Sequence, residues 1–212
     1  MNTGSSARPT RGHPLRVAAA ALALLAPPSM APAQGAATPA ALPPELVTVR
    51  AGLEKYQDPI VAVHDGYLST VACVEFPQGM SEGTMKYVAG GMGVHFLNLN
   101  FVGPTLDPAK PQVLIYEPDG DKLKLVAAEW FMPAAVAGAT PPAIFGKPLE
   151  GPMEGHEPIM PPEFHHYDLH VWLWKSNPAG VYSPTNPAVK CPQGGYSHAG
   201  AAPKMVGHEE HK

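Results

Sequence analysis

The sequence predicts an α+β fold, with N-terminal helices packed on a mostly antiparallel β-sheet and a long Pro-rich loop. Three observations predict it. Leu46, Val49, Leu53 and Tyr56 recur at helical spacing. From about residue 70 the apolar pattern changes to short β-rich runs broken by Gly and Pro turns. Between Met132 and His166 the chain is punctuated by Pro133, Pro141, Pro142, Pro148, Pro152, Pro158, Pro161 and Pro162, and an unbroken connection of that length is usually a lid, a binding loop or disorder.

Taken in order, the first segment reads as an export signal. Arg8, Arg11 and Arg16 precede the apolar run Val17–Ala26, and Ala31-Pro32-Ala33 supplies the small residues of a cleavage site, so residues 1–33 are assigned as a signal peptide. The run is about half of the roughly 20 residues that a bilayer crossing requires. Residues 34–43 form a flexible linker too poor in bulky apolar groups to pack, and a single domain follows over 44–193. Within it, Glu45–Gln57 is an amphipathic helix, with Pro44 tolerated in its first turn. Asp58-Pro59 caps and opens a second short helix from Ile60 to Gly66.

Val71–Phe76 and Met92–Asn98 are strand candidates. The glycines before the second permit tight turns or close backbone approach. Val113–Glu117 and Leu123–Phe131, joined by Pro118-Asp119-Gly120-Asp121, form a hairpin. Tyr167–Lys175 lacks a charged face and is expected to be a central strand covered on both sides. Asn177-Pro178-Ala179-Gly180 turns the chain after it. Residues 194–212 read as a disordered, His-containing tail.

Charge and cysteine content narrow the partners and the compartment. The chain of 212 residues is 15% charged and 45% hydrophobic with a net charge of −4. Loss of the three leader arginines leaves 11 basic against 18 acidic residues, a charge of −7. That disfavours nucleic acid and anionic membranes as partners, and with no second apolar run the chain after signal cleavage is expected to have no integral membrane segment. Cys73 and Cys191 are the only cysteines, and export would carry them into an oxidising space where they are expected to pair. On the chain-entropy model such a bridge stabilises by at most about 4 to 5 kcal/mol. A secreted or periplasmic location follows from the signal.

The blocks GMGVHFLN, PQVLIYEPDGDKLKLVAAEWF, YDLHVWLWKSNPAG and NPAVKC, in this order over roughly Asp58 to Cys191, resemble a family of secreted bacterial proteins that carries no assigned activity, substrate or cofactor. The resemblance implies that His95, His170 and both cysteines lie within the shared blocks, and that the tail histidines lie outside them.

Ten histidines are present, and nine remain once His13 leaves with the signal. His95 and His170 sit within apolar strands, where a buried ring must satisfy both nitrogens. Two strands of one sheet can bring them onto a common face as half of a metal site, with Glu129, Glu117, Asp168 or Tyr167 supplying oxygen ligands or orienting bonds. Each ring instead bonding a backbone carbonyl is the competing use. From Met153 to His170 the chain gathers Met153, His156, Met160, His165, His166 and several glutamates. Imidazole with thioether suits copper; imidazole with carboxylate suits zinc, iron or manganese. A proline-rich lid with incidental histidines accounts for the same residues. His198, Met205, His208 and His211 read as a solvated tail that chelates weakly.

No GxSxG, phosphate-binding loop, dinucleotide fingerprint or EF-hand is found. Trp130, Trp172 and Trp174 can floor an apolar pocket or fill a core. The expectation is therefore an exported soluble protein that binds a transition metal, copper or zinc, or a small ligand. Its metal residues would be His95, His170, His166 and Glu129, and its ligand loop Met153, His156, Met160 and His165. A metal-dependent or acid/base enzyme in the same pocket, and a structural envelope protein without a site, are the alternatives.

Overall fold

A computed structural model describes residues 41–82, 85–156, 160–192, 197–199 and 204–206. The expected signal peptide and nearly all of the linker lie outside the described residues. All of these described residues belong to the unit Thr38–Lys212.

The chain enters through α1 (Pro44–Leu53), whose proline occupies the first turn, and continues into a single 3₁₀ turn over Glu54–Gln57. One helix was expected to run to Gln57; it tightens at Glu54 instead. Asp58 then caps α2 (Pro59–His64) by accepting a hydrogen bond from the Ile60 amide at 2.9 Å, as its position before a proline predicts. Strands follow: β1 (Leu68–Phe76), β2 (Met80–Glu82), β3 (Met85–Tyr87), β4 (Gly90–Leu97), β5 (Val113–Asp119) and β6 (Lys122–Pro133). After them come α3 (Ala134–Ala137), β7 (Ala143–Ile144), β8 (Lys147–Pro148), β9 (Glu150–Met153), β10 (His166–Val171) and β11 (Ser197–Ala199).

The main sheet has the order β11-β1-β4-β5-β6-β10-β9 and is antiparallel except for the parallel β1–β11 pair. The mixed, mostly antiparallel architecture agrees with the expected class. β5 and β6 form the expected hairpin, but the strands run further into its connection and leave a two-residue turn at Gly120-Asp121, where Gly120 has φ +64°. Gly93 in β4, at φ +112°, permits the close approach anticipated for the glycine run, since a Cβ there would lie 2.6 Å from the Tyr116 carbonyl oxygen.

Two expectations need correction. The run Tyr167–Lys175 is not a central strand: β10 stops at Val171 and lies one place in from the β9 edge. Beyond Val171 the backbone leaves the ladder, with the Trp172 amide donating to the Val181 carbonyl and the Trp174 amide to that of Val126. Burial of both faces of β10 does hold. The proline-rich connection, in turn, is more than a loop. It builds α3, the small β7–β8 pair and edge strand β9 before crossing to β10. In the segment expected to be a disordered tail, the described residues 197–199 pair with β1, and Met205 bridges to Met153.

Alternation sorts the sheet into two faces. Val94, Phe96, Leu114, Tyr116, Ala128, Trp130, Tyr167, Leu169 and Val171 share a core with Leu46, Leu53, Tyr56 and Ala62 of the helical segment. Their sequence neighbours point the other way. There Val113, Ile115, Ala127 and Phe131 pack with Trp172 and Val189, and Met153 packs with Met85, Tyr87 and Met92. Cys73 and Cys191 are joined by a disulfide across 118 positions of sequence.

Candidate metal centre

The second face carries the polar residues that matter. In β10 the alternation sends His166, Asp168 and His170 to one side and Tyr167, Leu169 and Val171 to the helix-packed side. Glu129 of β6 lies opposite His170 in the ladder, Val113 of β5 opposite Glu129, and Leu97 of β4 opposite Val113. His95, two residues before Leu97, falls on the same face. Its ring stands 6.3 Å from that of His170, edge to face.

Two groups of ligand atoms result. In the first, Glu129 Oε2 lies 3.7 Å from His95 Nε2 and 3.4 Å from His170 Nε2. In the second, Asp168 Oδ2 lies 3.5 Å from His166 Nε2 and 3.8 Å from His156 Nε2. Asp168 faces both groups, because its Oδ1 is 3.8 Å from His170 Nδ1. Among the described residues both nitrogens of His170, His166 Nε2 and Asp168 Oδ2 have no hydrogen-bond partner. Buried polar atoms in folded proteins are overwhelmingly paired, so orphans gathered in one place point to a missing partner. These separations are long for hydrogen bonds. They suit donors around one ion: metal–nitrogen bonds of 2.0–2.1 Å in a tetrahedron set neighbouring donors about 3.3–3.4 Å apart.

The His166 ring adds a further sign. Its Nδ1 lies 3.3 Å from the Phe164 carbonyl oxygen, and its Nε2 faces the Asp168 carboxylate at 3.5 Å without a hydrogen-bond partner among the described residues.

Electrostatics describe the same enclosure. Burial, reinforced by the His170 and His156 rings, lowers His95 to about 3, and burial lowers His156 to about 4 against a partial pull from Asp168. Burial also lowers His170. These downward shifts keep imidazole lone pairs free for a ligand. The Glu129 carboxyl is raised well above its ordinary range by burial and by the Asp168 charge. For Asp168 burial acts upward, but the His166, His170 and His156 rings outweigh it and hold the group at about 2. Tyr87, on β3, has a buried hydroxyl without a partner among the described residues, raised well above its usual range by burial and by the Asp168, Glu129 and Glu150 charges.

The loop after β9 closes this face. A Cβ on Gly155 would run into the Pro161 carbonyl, so only glycine lets the chain at 155 lie against Pro161 and Pro162, with the Gly155 amide donating to the Pro162 carbonyl and the Met160 amide to that of His156. That fold carries His156 to within 3.3 Å of the Met153 sulfur. A cavity of about 20 Å³ remains between His156 and Met160 on the loop and His95 and Glu129 on the sheet, walled by Leu97 and Phe131. This is room for about one water-sized molecule.

Of the residues singled out in the sequence, His95, His170 and Glu129 come together, and Met153, His156 and Met160 lie beside them. His166 belongs to the second group rather than the first. His165 does not join either: it precedes β10 and is exposed. Asp168 is more central than expected, and Tyr87 was missed. A larger hollow of about 470 Å³, bordered by Leu42, Pro43 and Trp172–Lys175, contains none of these groups. Trp130 is fully buried in the helix-side core. Comparison with family models, with curated proteins and with solved structures finds no match.

Proposed function

We propose that this chain is an exported protein that holds a transition-metal ion between His95, Glu129 and His170. The observation that carries the reading is the set of buried lone pairs around Glu129, too far apart to bond one another and spaced to share an ion. Two imidazoles and one carboxylate suit zinc, and equally the iron sites that keep open positions. Asp168 faces the far nitrogen of His170 and would orient that ring, as carboxylates beside metal-bound histidines do. The small cavity beside His95 and Glu129 supplies space for one exogenous ligand on the ion. Export is supported by the leader pattern and by the Cys73–Cys191 disulfide, which an oxidising compartment maintains. Among the described residues no helix is long and apolar enough to cross a membrane.

The test is metal content of the purified chain with His198, His208 and His211 replaced by Asn to silence the tail. Near-stoichiometric zinc or cobalt is expected after loading, lost in His95→Ala and in Glu129→Gln. Cobalt would report its geometry by its visible spectrum. Metal retained by both variants would remove the reading.

A further inference from the structure

We propose a second and softer metal site beside the first, made by Met153 Sδ, His156 Nε2, His166 Nε2 and Asp168 Oδ2, which takes copper. It extends the reading above without sharing any of its three ligands. The three nitrogen and oxygen donors lie within 4.8 Å of one another. The Met153 sulfur stands 3.3 Å from His156 Nε2, close to the roughly 3.5 Å edge that metal bonds of 2.0 Å to nitrogen and 2.3 Å to sulfur would give in a tetrahedron.

The donor set differs from the first in kind. Thioether sulfur is a soft ligand that favours copper over zinc, calcium or manganese, and imidazole serves copper well. A methionine placed only to fill a core has no need of an imidazole nitrogen at its sulfur. Met153 is fully buried, His166 is fully buried, and His156 alone of the four comes from the closing loop, its side chain 11% exposed. The sheet therefore presents three donors and the loop adds the fourth. Strand β9 fixes Met153 opposite His166 in the ladder, so two of the donors are held in register by backbone pairing. His166 Nε2 and Asp168 Oδ2, both deeply buried, aim at the space between them without a partner among the described residues.

The experiment uses the full exported chain with the three tail histidines replaced, stripped by a chelator. Copper(I) is titrated without oxygen against a coloured copper(I) chelator, and zinc(II) is titrated separately. One copper(I) per chain is expected. Its affinity should fall by at least about tenfold, as loss of a supporting ligand typically produces, in Met153→Leu, and further in His156→Ala. Copper K-edge absorption should show a sulfur neighbour that Met153→Leu removes. Glu129→Gln should lose zinc and leave copper(I) affinity within about twofold. Copper(I) bound without a sulfur neighbour, unchanged by Met153→Leu, or absent from the parent chain would overturn the proposal. Copper(I) held through Met153 in a chain that holds no zinc would instead fail the first site and leave this one standing. Should Met153→Leu lose its near-ultraviolet circular dichroism, the partly exposed His156→Ala carries the same decision.

Discussion

On the helix-covered face of the sheet, no fully buried side-chain polar atom among the described residues lacks a partner. Tyr116 donates its hydroxyl to the Tyr56 carbonyl at 2.7 Å, Tyr67 to Pro111 at 2.8 Å, and the Trp130 indole to Asp107 at 2.9 Å. On the opposite face, equally buried imidazoles and carboxylates stand at 3.4–3.8 Å with lone pairs unspent. The same strands build both faces, so the difference cannot come from backbone constraint. One face is finished by the chain itself; on the other the buried groups could hold a metal ion. The helix-packed core and the groups that could hold an ion thereby lie on opposite sides of a single sheet.

Four measurements press on that division. Leu114→Ala, at a fully buried position among the helix-side residues, is expected to destabilise by about 2–5 kcal/mol, with or without metal, as read by urea denaturation. An equal dependence on metal would blur the two faces. Stripping the ion comes next. A ligand present at about a thousand times its dissociation constant contributes about 4 kcal/mol, which for a domain of this size corresponds to a melting point lower by roughly 8–16 °C. Differential scanning calorimetry before and after chelation gives the answer.

Acid should act on the histidine face. His95 and His156 titrate at about 3 and about 4 when folded, below their ordinary 6.5. The unfolded chain takes up protons as the pH falls through 6.5, while the folded chain refuses them until it reaches those lower values. Metal-free protein therefore loses stability across that window, by at most about 1.4 kcal/mol per pH unit for each ring. Glu129, shifted upward by burial, works in the opposite sense. Denaturation midpoints at pH 7 and pH 5, in the parent and in Glu129→Gln, separate the two contributions. A midpoint that does not fall in Glu129→Gln would contradict the histidine assignment.

The smallest change in stability is expected for His95→Leu in stripped protein. The His95 Nδ1 is buried without a partner among the described residues, and replacing such a group by an apolar one costs little, within about 1 kcal/mol, and can stabilise. Yet the same substitution should abolish binding at the first site. Destabilisation as large as that of Leu114→Ala would mean that His95 supports the fold.

Much of this was legible in the residues. The β5–β6 hairpin, the Asp58 cap and the helical spacing of Leu46 and Leu53 are local signals, and the structure follows them closely. His95, His170 and Glu129 were visible as polar residues inside apolar strands, although their convergence depends on the order β4-β5-β6-β10, which no local pattern encodes. Period-two alternation in His166-Tyr167-Asp168-Leu169-His170 already places three donors on one face, and weighing it would have promoted Asp168. Tyr87 reaches the cluster through a short hairpin whose three-residue strands leave too little pattern to read. The β11 pairing was hidden because Ser197–Ala199 resembles a polar tail, while its partner β1 lies more than a hundred residues away in sequence.

That last pairing bears on how the molecule avoids its neighbours. Edge strands invite other chains to add to them, and β1 would otherwise form a bare rim nine residues long. Ser197–Ala199 shields Cys73–Glu75, while Val71, at φ +62° in an irregular stretch of the β1–β4 ladder, bends the remainder out of a flat template. Leu68 and Val71 still face solvent at 65% exposure each. A chain trimmed just after Cys191 would keep its crosslink yet uncover this rim, and clumping at high concentration would be its characteristic fault.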